Sequence, residues 1–226
     1  MKAVILAAGA PRVRRWFPPD SKPKCLYHVD GEVILTRMVR CLREAGVNDI
    51  RIIVGYRHTD IEEFNRAQEL DLEVIYCPEW VVDAISASIE AAIKGVNDDV
   101  LLLFSDIVVR TDVIKAFLAH PEPLVRIKLK KEPHTEGVIE NKIHIVKVAR
   151  EKFGIFDNTR EHMKKCMRDH PVYDGISHAT GLGLVCALIE TFRQNEPVGE
   201  VLVHPILKEV DLFRQTDEGK KHWGIK

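Results

Sequence analysis

Hydrophobic and polar positions along this chain switch repeatedly between a strand period and a helix period. Ala3 to Ala7, with Val4 and Ile5 at its centre, is an unbroken apolar run and predicts a strand buried on both faces. It stops at Ala8-Gly9. Between Glu32 and Ala45 the residues Ile34, Leu35, Met38, Val39 and Leu42 recur at helical spacing, and Gly46 stands where a helix C-terminus favours glycine. Ile50 to Val54 reads as a second strand, and Thr59-Asp60-Ile61-Glu62 fits a capping box that opens another helix. Leu72–Tyr76 and Val100–Phe104 read as strands, Ala84–Ile93 and Thr111–Ala119 as helices. This alternation predicts an α/β fold with a mostly parallel, mixed sheet and helices on both faces. Past residue 122 two strand-like runs, Leu124–Leu129 and Ile143–Val148, flank a stretch containing Pro133 and Gly137, which predicts an antiparallel or mixed extension. With no repeat, low-complexity tract or long linker, residues 1–226 are expected to form one domain.

Composition narrows the function classes. The 226 residues suffice for one large core, and 33 Lys plus Arg against 34 Asp plus Glu leave no field to attract nucleic acid or an anionic membrane. No apolar run approaches the roughly 18–20 residues that span a bilayer. The first strand is too short and too soon interrupted for a signal peptide. Cys25, Cys41, Cys77, Cys166 and Cys186 are odd in number and form no C-x-x-C pair, as expected of reduced thiols in a cytoplasmic protein. The ten histidines contain no metal-binding spacing.

The break after the first strand carries the candidate chemistry. The small residues at the end of Leu6-Ala7-Ala8-Gly9 would let backbone N–H groups approach a ligand, and Arg12, Arg14, Arg15, Lys22 and Lys24 follow, an arrangement suited to phosphate. Ligands of open parallel sheets bind beyond the carboxyl ends of the strands. The Ala8–Lys24 loop, the segment after Cys77 and the segment after Phe104 are therefore expected to meet at one edge. Asp106 closes the most hydrophobic strand, in Leu101-Leu102-Leu103-Phe104-Ser105-Asp106. A carboxylate there is costly unless solvated, paired or bound to a cation, and Mg²⁺ shared with phosphates is a natural partner. The plainer alternative is a loop aspartate capping the next turn.

Pro23-Lys24-Cys25-Leu26, Val29-Asp30-Gly31, Ile34-Leu35, Ala45-Gly46-Val47 and Ile53-Val54-Gly55-Tyr56 follow the opening strand in that order. The series resembles the nucleotidyltransferase family that activates sugar 1-phosphates, phosphocholine and phosphonates with CTP, dTTP or UTP. It runs almost continuously over residues 1 to about 60 and then thins. The resemblance implies a Rossmann-like fold of the nucleotide-diphospho-sugar transferase type, with residues 1–120 binding nucleotide and 121–226 the acceptor. It also implies that Lys24 contacts the acceptor's phosphate and that Asp106 binds magnesium, Ser105 standing where the family has glycine or alanine. Lys22 would be solvated. Pro11 and Val13 replace the family's second loop glycine and its arginine, so either Arg12 or Arg14 takes the arginine's place.

By the same resemblance Asp83, Ser86 and Ser88 meet base and ribose, with Glu79 and Trp80 lining the pocket. An ordinary N-cap by Asp83 with solvated serines is the simpler account. The segment from Gly175 to Gly183 would border the acceptor through His178, Thr180 and Gly181, and Tyr173 with Trp80 would wall in a quaternary ammonium. A structural histidine and core aromatics are the plainer account there. The family's second metal carboxylate follows a tryptophan in a C-terminal strand. Here Trp223 has no aspartate after it, leaving Asp211 as the better-placed candidate and Asp217 as the other.

The expected activity is Mg²⁺-dependent transfer of a nucleotidyl group, CMP from CTP, to a small phosphorylated or phosphonate acceptor such as phosphocholine, releasing pyrophosphate. The first alternative is a sugar-1-phosphate thymidylyl- or uridylyltransferase. The second is a non-catalytic nucleotide-binding pseudoenzyme. Neither nucleic acid nor membrane insertion is expected, and an oligomer is left open.

Overall fold

The computed structural model describes residues 1–11, 18, 20–80, 86–129, 145–156, 199–203, 208–209 and 216–224. In chain order its elements are β1 (Lys2–Ala7), β2 (His28–Val29), β3 (Glu32–Val33), α1 (Ile34–Glu44), β4 (Ile50–Val54), α2 (His58–Ala67) and β5 (Glu73–Tyr76). Then come α3 (Ser86–Ile93), β6 (Val100–Phe104), β7 (Ile107–Val108), α4 (Thr111–Ala119), β8 (Leu124–Leu129) and β9 (Ile145–Val148). β10 (Gly199–Val203), β11 (Lys208–Glu209) and α5 (Asp217–Trp223) complete the described chain.

The main sheet has seven strands in the order β10-β8-β9-β6-β1-β4-β5. β1 lies at the centre of its parallel half, pairing in parallel with β4 and with β6, and β4 pairs in parallel with β5. β9 runs antiparallel to both of its neighbours, β6 and β8, whereas β10 returns to a parallel pairing with β8. The mixed extension expected beyond residue 122 is this β8–β9–β10 half.

Strand alternation divides the core between the two faces of the sheet. Ala3, Ile5 and Ala7 of β1, with Ile52, Leu101 and Leu103, pack against Met38 and Leu42 of α1, Ile61 of α2 and Phe117 of α4. Val4, Ile53, Val100 and Leu102 face the other way, against Ile89 and Ala92 of α3 and against Phe156. Because both faces are covered, β1 and β6 read as nearly continuous apolar runs rather than alternating ones, and β4 is broken only by Arg51.

Two local expectations change and one holds. Glu32 and Val33 belong to β3 rather than to α1; they pair antiparallel with Val29 and His28 across a turn in which Asp30 (φ 53°) and Gly31 (φ 77°) are both left-handed. That is a hairpin turn with positive φ at both central residues. At the other end of α1, Gly46 (φ 92°) closes the helix as expected: its N–H reaches Arg43 O and that of Val47 reaches Leu42 O, both at 2.9 Å. The capping box at Thr59 does not form. α2 begins two residues earlier than that cap implies, after a left-handed Arg57 (φ 45°), so Thr59 lies inside the helix.

An ion-paired cluster ties β1, β4, β5 and α3 together. Buried Arg51 donates to Glu73 at 2.8 and 3.0 Å and to the carbonyls of Ala92 and Lys94 at 3.0 and 2.9 Å, satisfying acceptors at the end of α3. Lys2 reaches Glu73 at 2.7 Å and Asp49 at 2.8 Å. The Arg51 hydrogen bonds, helped by Lys2, hold the Glu73 carboxyl down at about 2 from an ordinary 4.5, against the opposing effect of burial. Since the folded value is depressed, this stabilisation is complete above about 4.5 and is lost as pH falls toward about 2. Urea midpoints measured through that window should drop with pH, and Glu73→Gln should lower the midpoint at neutral pH while flattening the acid limb.

Candidate active site

The carboxyl ends of β1, β4 and β6 are stitched together by backbone hydrogen bonds. Tyr56 N–H donates to Ala8 O at 2.9 Å, Cys77 N–H to Val54 O at 2.8 Å and Ser105 N–H to Leu6 O at 3.2 Å. The described residues of the three segments that the sequence places at one edge do converge there. Ala7 and Ala8 are buried and Gly9 is exposed, with open space where a Gly9 side chain would stand. No neighbour among the described residues requires that glycine.

Lys24 opens a 3-10 helical turn, Lys24–Leu26, that follows the extended Pro23. Cys25 and Leu26 anchor the turn in the core, which leaves Lys24 at its edge. There the Lys24 ammonium forms an ion pair with the carboxylate of Asp106. The parallel register of β1 and β6 puts Ser105-Asp106 beside the end of β1, and so within reach of the Lys24 turn. The lysine side chain is 22% exposed and the aspartate 12%, so both groups remain open to solvent on one side. Burial pushes the neighbouring Cys25 thiol up to about 12, with Asp106 adding to the effect, and such a thiol is no nucleophile at neutral pH.

The chain leading to Lys24 is held from two directions. Tyr56 Oη donates to Ser21 O at 2.8 Å and Arg57 donates to Asp20 O at 3.0 Å. From the C-terminal side, Lys22 donates to Glu218 at 2.8 Å and lies 4.7 Å from the centre of the Tyr27 ring. Lys22 is thus paired, where the sequence suggested a solvated side chain. Asp217, considered above as a metal ligand, accepts from Asp30 N–H (3.2 Å) and Gly31 N–H (2.7 Å) and is committed to the hairpin turn. Trp223 ends a helix, not the strand that the resemblance implied. Arg57 and Glu218 escaped the sequence reading, and Tyr56 entered it only within the Ile53-Val54-Gly55-Tyr56 series, with no role. Thr216-Asp217-Glu218 does carry a helix-start pattern, and Thr216 Oγ1 accepts from Gly219 N–H at 3.0 Å, but no local signal names the partner of Glu218.

Trp80 leans over the β4 end of the same edge and meets Tyr56 edge-on, with centroids 5.7 Å apart. Glu79 is exposed, its carboxylate 3.9 Å from the Cys77 sulfur. Ser88 is buried and hydrogen-bonds Cys77, so its hydroxyl serves the seating of α3. Ser86 opens that helix. Arg12, Arg14, Asp83, Tyr173, His178, Thr180, Gly181 and Asp211 lie outside the described residues. Among the described residues no three His, Cys, Asp or Glu side chains gather to hold a metal. Asp106 is nonetheless a hard oxygen donor at the open edge, which suits Mg²⁺, an ion that takes one or two carboxylates and completes its shell with phosphates and water. A surface depression of about 560 Å³, lined by Glu62, Asn65, Arg66, Glu69, Asp71 and Val74, lies toward the amino ends of the strands and contains none of these groups. No described helix is long and apolar enough to cross a membrane.

Residues 3–211 match the sequence model of the MobA-like NTP transferase domain. Over 124 residues the chain is 28% identical to CMP-5'-(3-aminopropyl)phosphonate synthase of Streptomyces rubellomurinus, covering 54% of this chain and 20% of that protein. Over 57 residues it is 44% identical to choline-phosphate cytidylyltransferase of Streptococcus pneumoniae, covering 25% of this chain and 24% of that one. These matches span about a quarter or less of the relatives' own lengths. The structure of the inositol-1-phosphate CTP transferase from T. maritima superposes with a TM-score of 0.66 at 13% identity, over 99% of this chain and 94% of that one, which shows a common fold.

The approach of Trp80 to the sheet edge depends on Gly55. A Cβ there would stand 2.5 Å from Trp80 Cγ and 2.7 Å from Ala8 O, of which the second is backbone and cannot swing aside. Gly55→Ala is expected to destabilise by about 1–3 kcal/mol, the usual cost of overpacking. Tryptophan emission, which a mere loss of stability would leave unaltered in the folded protein, should shift as Trp80 is displaced.

Proposed function

The chain belongs to the MobA-like NTP transferase domain family, and from that premise we propose that it transfers CMP from CTP to a small phosphorylated or phosphonate acceptor such as phosphocholine, releasing pyrophosphate. The observation that carries this reading is the Lys24–Asp106 ion pair at the open end of β1 and β6, beside the exposed Gly9. Phosphonate and choline-phosphate relatives support the class of acceptor.

An oxygen of the acceptor's phosphoryl group attacks the α-phosphorus. The bond from that phosphorus to the bridging oxygen breaks, and its electron pair leaves on pyrophosphate. The protein's work is then positioning and charge compensation, with no covalent intermediate. Gly9 leaves room for the triphosphate to approach the backbone of the loop. The Lys24 ammonium, ion-paired with Asp106 when no phosphate is present, turns to the phosphoryl oxygens at which charge accumulates. Asp106 would hold Mg²⁺, which when bound supplies charge neutralisation to the triphosphate. Trp80 and Glu79 line the nucleotide side of the edge. By the resemblance, Asp83 and Ser86, with Arg12 or Arg14, would also meet the nucleotide, Tyr173, His178, Thr180 and Gly181 would contact the acceptor, and Asp211 would supply a second metal carboxylate.

Removing the ammonium tests the assignment. Lys24→Ala should lower kcat/KM by about 10²-fold or more, the scale of losing a preorganised charge contact. Its melting temperature should move by only about 2–4 °C, because a partly solvated ion pair contributes about 1 kcal/mol or less. Near-normal turnover in that variant would overturn the role of Lys24.

Nucleotide choice is read from ligand-induced stabilisation with CTP, dTTP, UTP, ATP and GTP in the presence of Mg²⁺. A ligand at 100 times its Kd adds about 2.7 kcal/mol. CTP should give the largest shift, and both EDTA and Asp106→Asn should diminish it. A dominant dTTP or UTP shift would point to a sugar-phosphate acceptor instead. A CTP shift indifferent to EDTA and to the substitution would remove the metal role.

A further inference from the structure

The turn that carries Lys24 is bracketed by a single carboxylate from the far end of the chain. Glu218 Oε1 accepts from Lys22 Nζ at 2.8 Å and lies 2.8 Å from His28 Nδ1, while Oε2 accepts from the His28 backbone N–H at 3.1 Å. Lys22 comes two residues before Lys24 and His28 four residues after it, so one side chain ties the two ends of the turn together.

The helix that supplies Glu218 is itself fixed. Its N-cap Thr216 is fully buried, and Asp217 holds the hairpin turn at Asp30 and Gly31. Burial works to raise the Glu218 carboxyl, but Lys22 and His28 outweigh it and hold the group down at about 2. The bracket therefore remains charged at neutral pH.

Two lysines separated by one proline could each reach for a carboxylate at this edge. Glu218 draws Lys22 toward the C-terminal helix, and Lys24 is the one that pairs with Asp106.

We propose that Glu218 is a positioning residue: by bracketing the Lys22–His28 segment and engaging Lys22, it holds Lys24 at Asp106. Its consequence for turnover rests on the nucleotidyltransferase reading, whereas its consequence for Lys24 does not.

The test uses Glu218→Gln in the full chain, which keeps the shape of the side chain and removes its charge. Acetylation of each lysine by acetic anhydride is followed by mass spectrometry well below the melting temperature. Lys24, which does not touch Glu218, should be modified at least about fivefold faster than in the wild type, the factor expected when one moderate interaction is lost from a local equilibrium. Lys94, remote from the bracket, should be unchanged. Transfer activity should fall by about tenfold, the factor that corresponds to a slightly larger loss in the transition state. If the variant folds poorly, Lys22→Met removes the partner and leaves α5 intact, with the same acceleration expected at Lys24.

A wild-type labelling rate for Lys24 in the variant overturns the proposal, even if the melting temperature falls, because that is the result of a purely structural contact. A wild-type protein that transfers no nucleotide overturns the functional reading instead, and the labelling rates still decide the role of Glu218.

Discussion

A charge must be compensated where the hydrophobic centre of the sheet ends. Leu101 to Leu103 are buried in β6, and the chain leaves that strand through Asp106, whose carboxylate keeps only a small fraction of its surface in water. A carboxylate so placed needs a cation or a dense set of donors. Here the cation is Lys24, delivered by a short turn whose other residues, Cys25 and Leu26, are anchored in the core. The strand register brings Asp106 to the sheet edge, and the anchored turn brings Lys24 to meet it.

That meeting explains why distant parts of the molecule converge on a small region. Tyr56 and Arg57, beyond the end of β4, grip the chain at Ser21 and Asp20, and Glu218 grips it at Lys22 and His28. The approach to Lys24 is thereby tied to β4 and to the C-terminal helix together. A lysine fixed in this way loses less conformational freedom when a phosphate replaces its carboxylate partner, which is what preorganisation means for a charge contact.

Much of this architecture was legible in the sequence. β6 and α4 span the residues that their apolar patterns predicted, because each pattern is unbroken and bounded by polar residues. The start of α1 was placed too early because Glu32 and Val33 precede a strong helical stripe, although Asp30-Gly31 carried a hairpin signal. The Thr59 capping box looked sound locally and lost to a left-handed Arg57 that starts the helix sooner. Lys24 and Asp106 could be singled out because each sits in a short, distinctive context, and the parallel pairing of β1 with β6 carries Asp106 to the edge where the Lys24 turn lies. The hold of Glu218 on Lys22 bridges 196 positions and has no periodic or motif signature. The same blindness made Asp217 a metal candidate, since nothing nearby in sequence reveals that it serves two backbone N–H groups of a hairpin.

Nucleotidyl transfer differs from nucleotide binding and from hydrolysis in where each phosphorus atom ends. Phosphorus NMR of CTP, Mg²⁺ and phosphocholine or an aminoalkylphosphonate, incubated with the protein, follows every phosphorus atom at once. Transfer would yield pyrophosphate and, in equal amount, a new diphosphate-type linkage joining the α-phosphorus of CTP to the acceptor's phosphorus, both absent when the acceptor is omitted. Release of inorganic phosphate or free CMP without that linkage would contradict it.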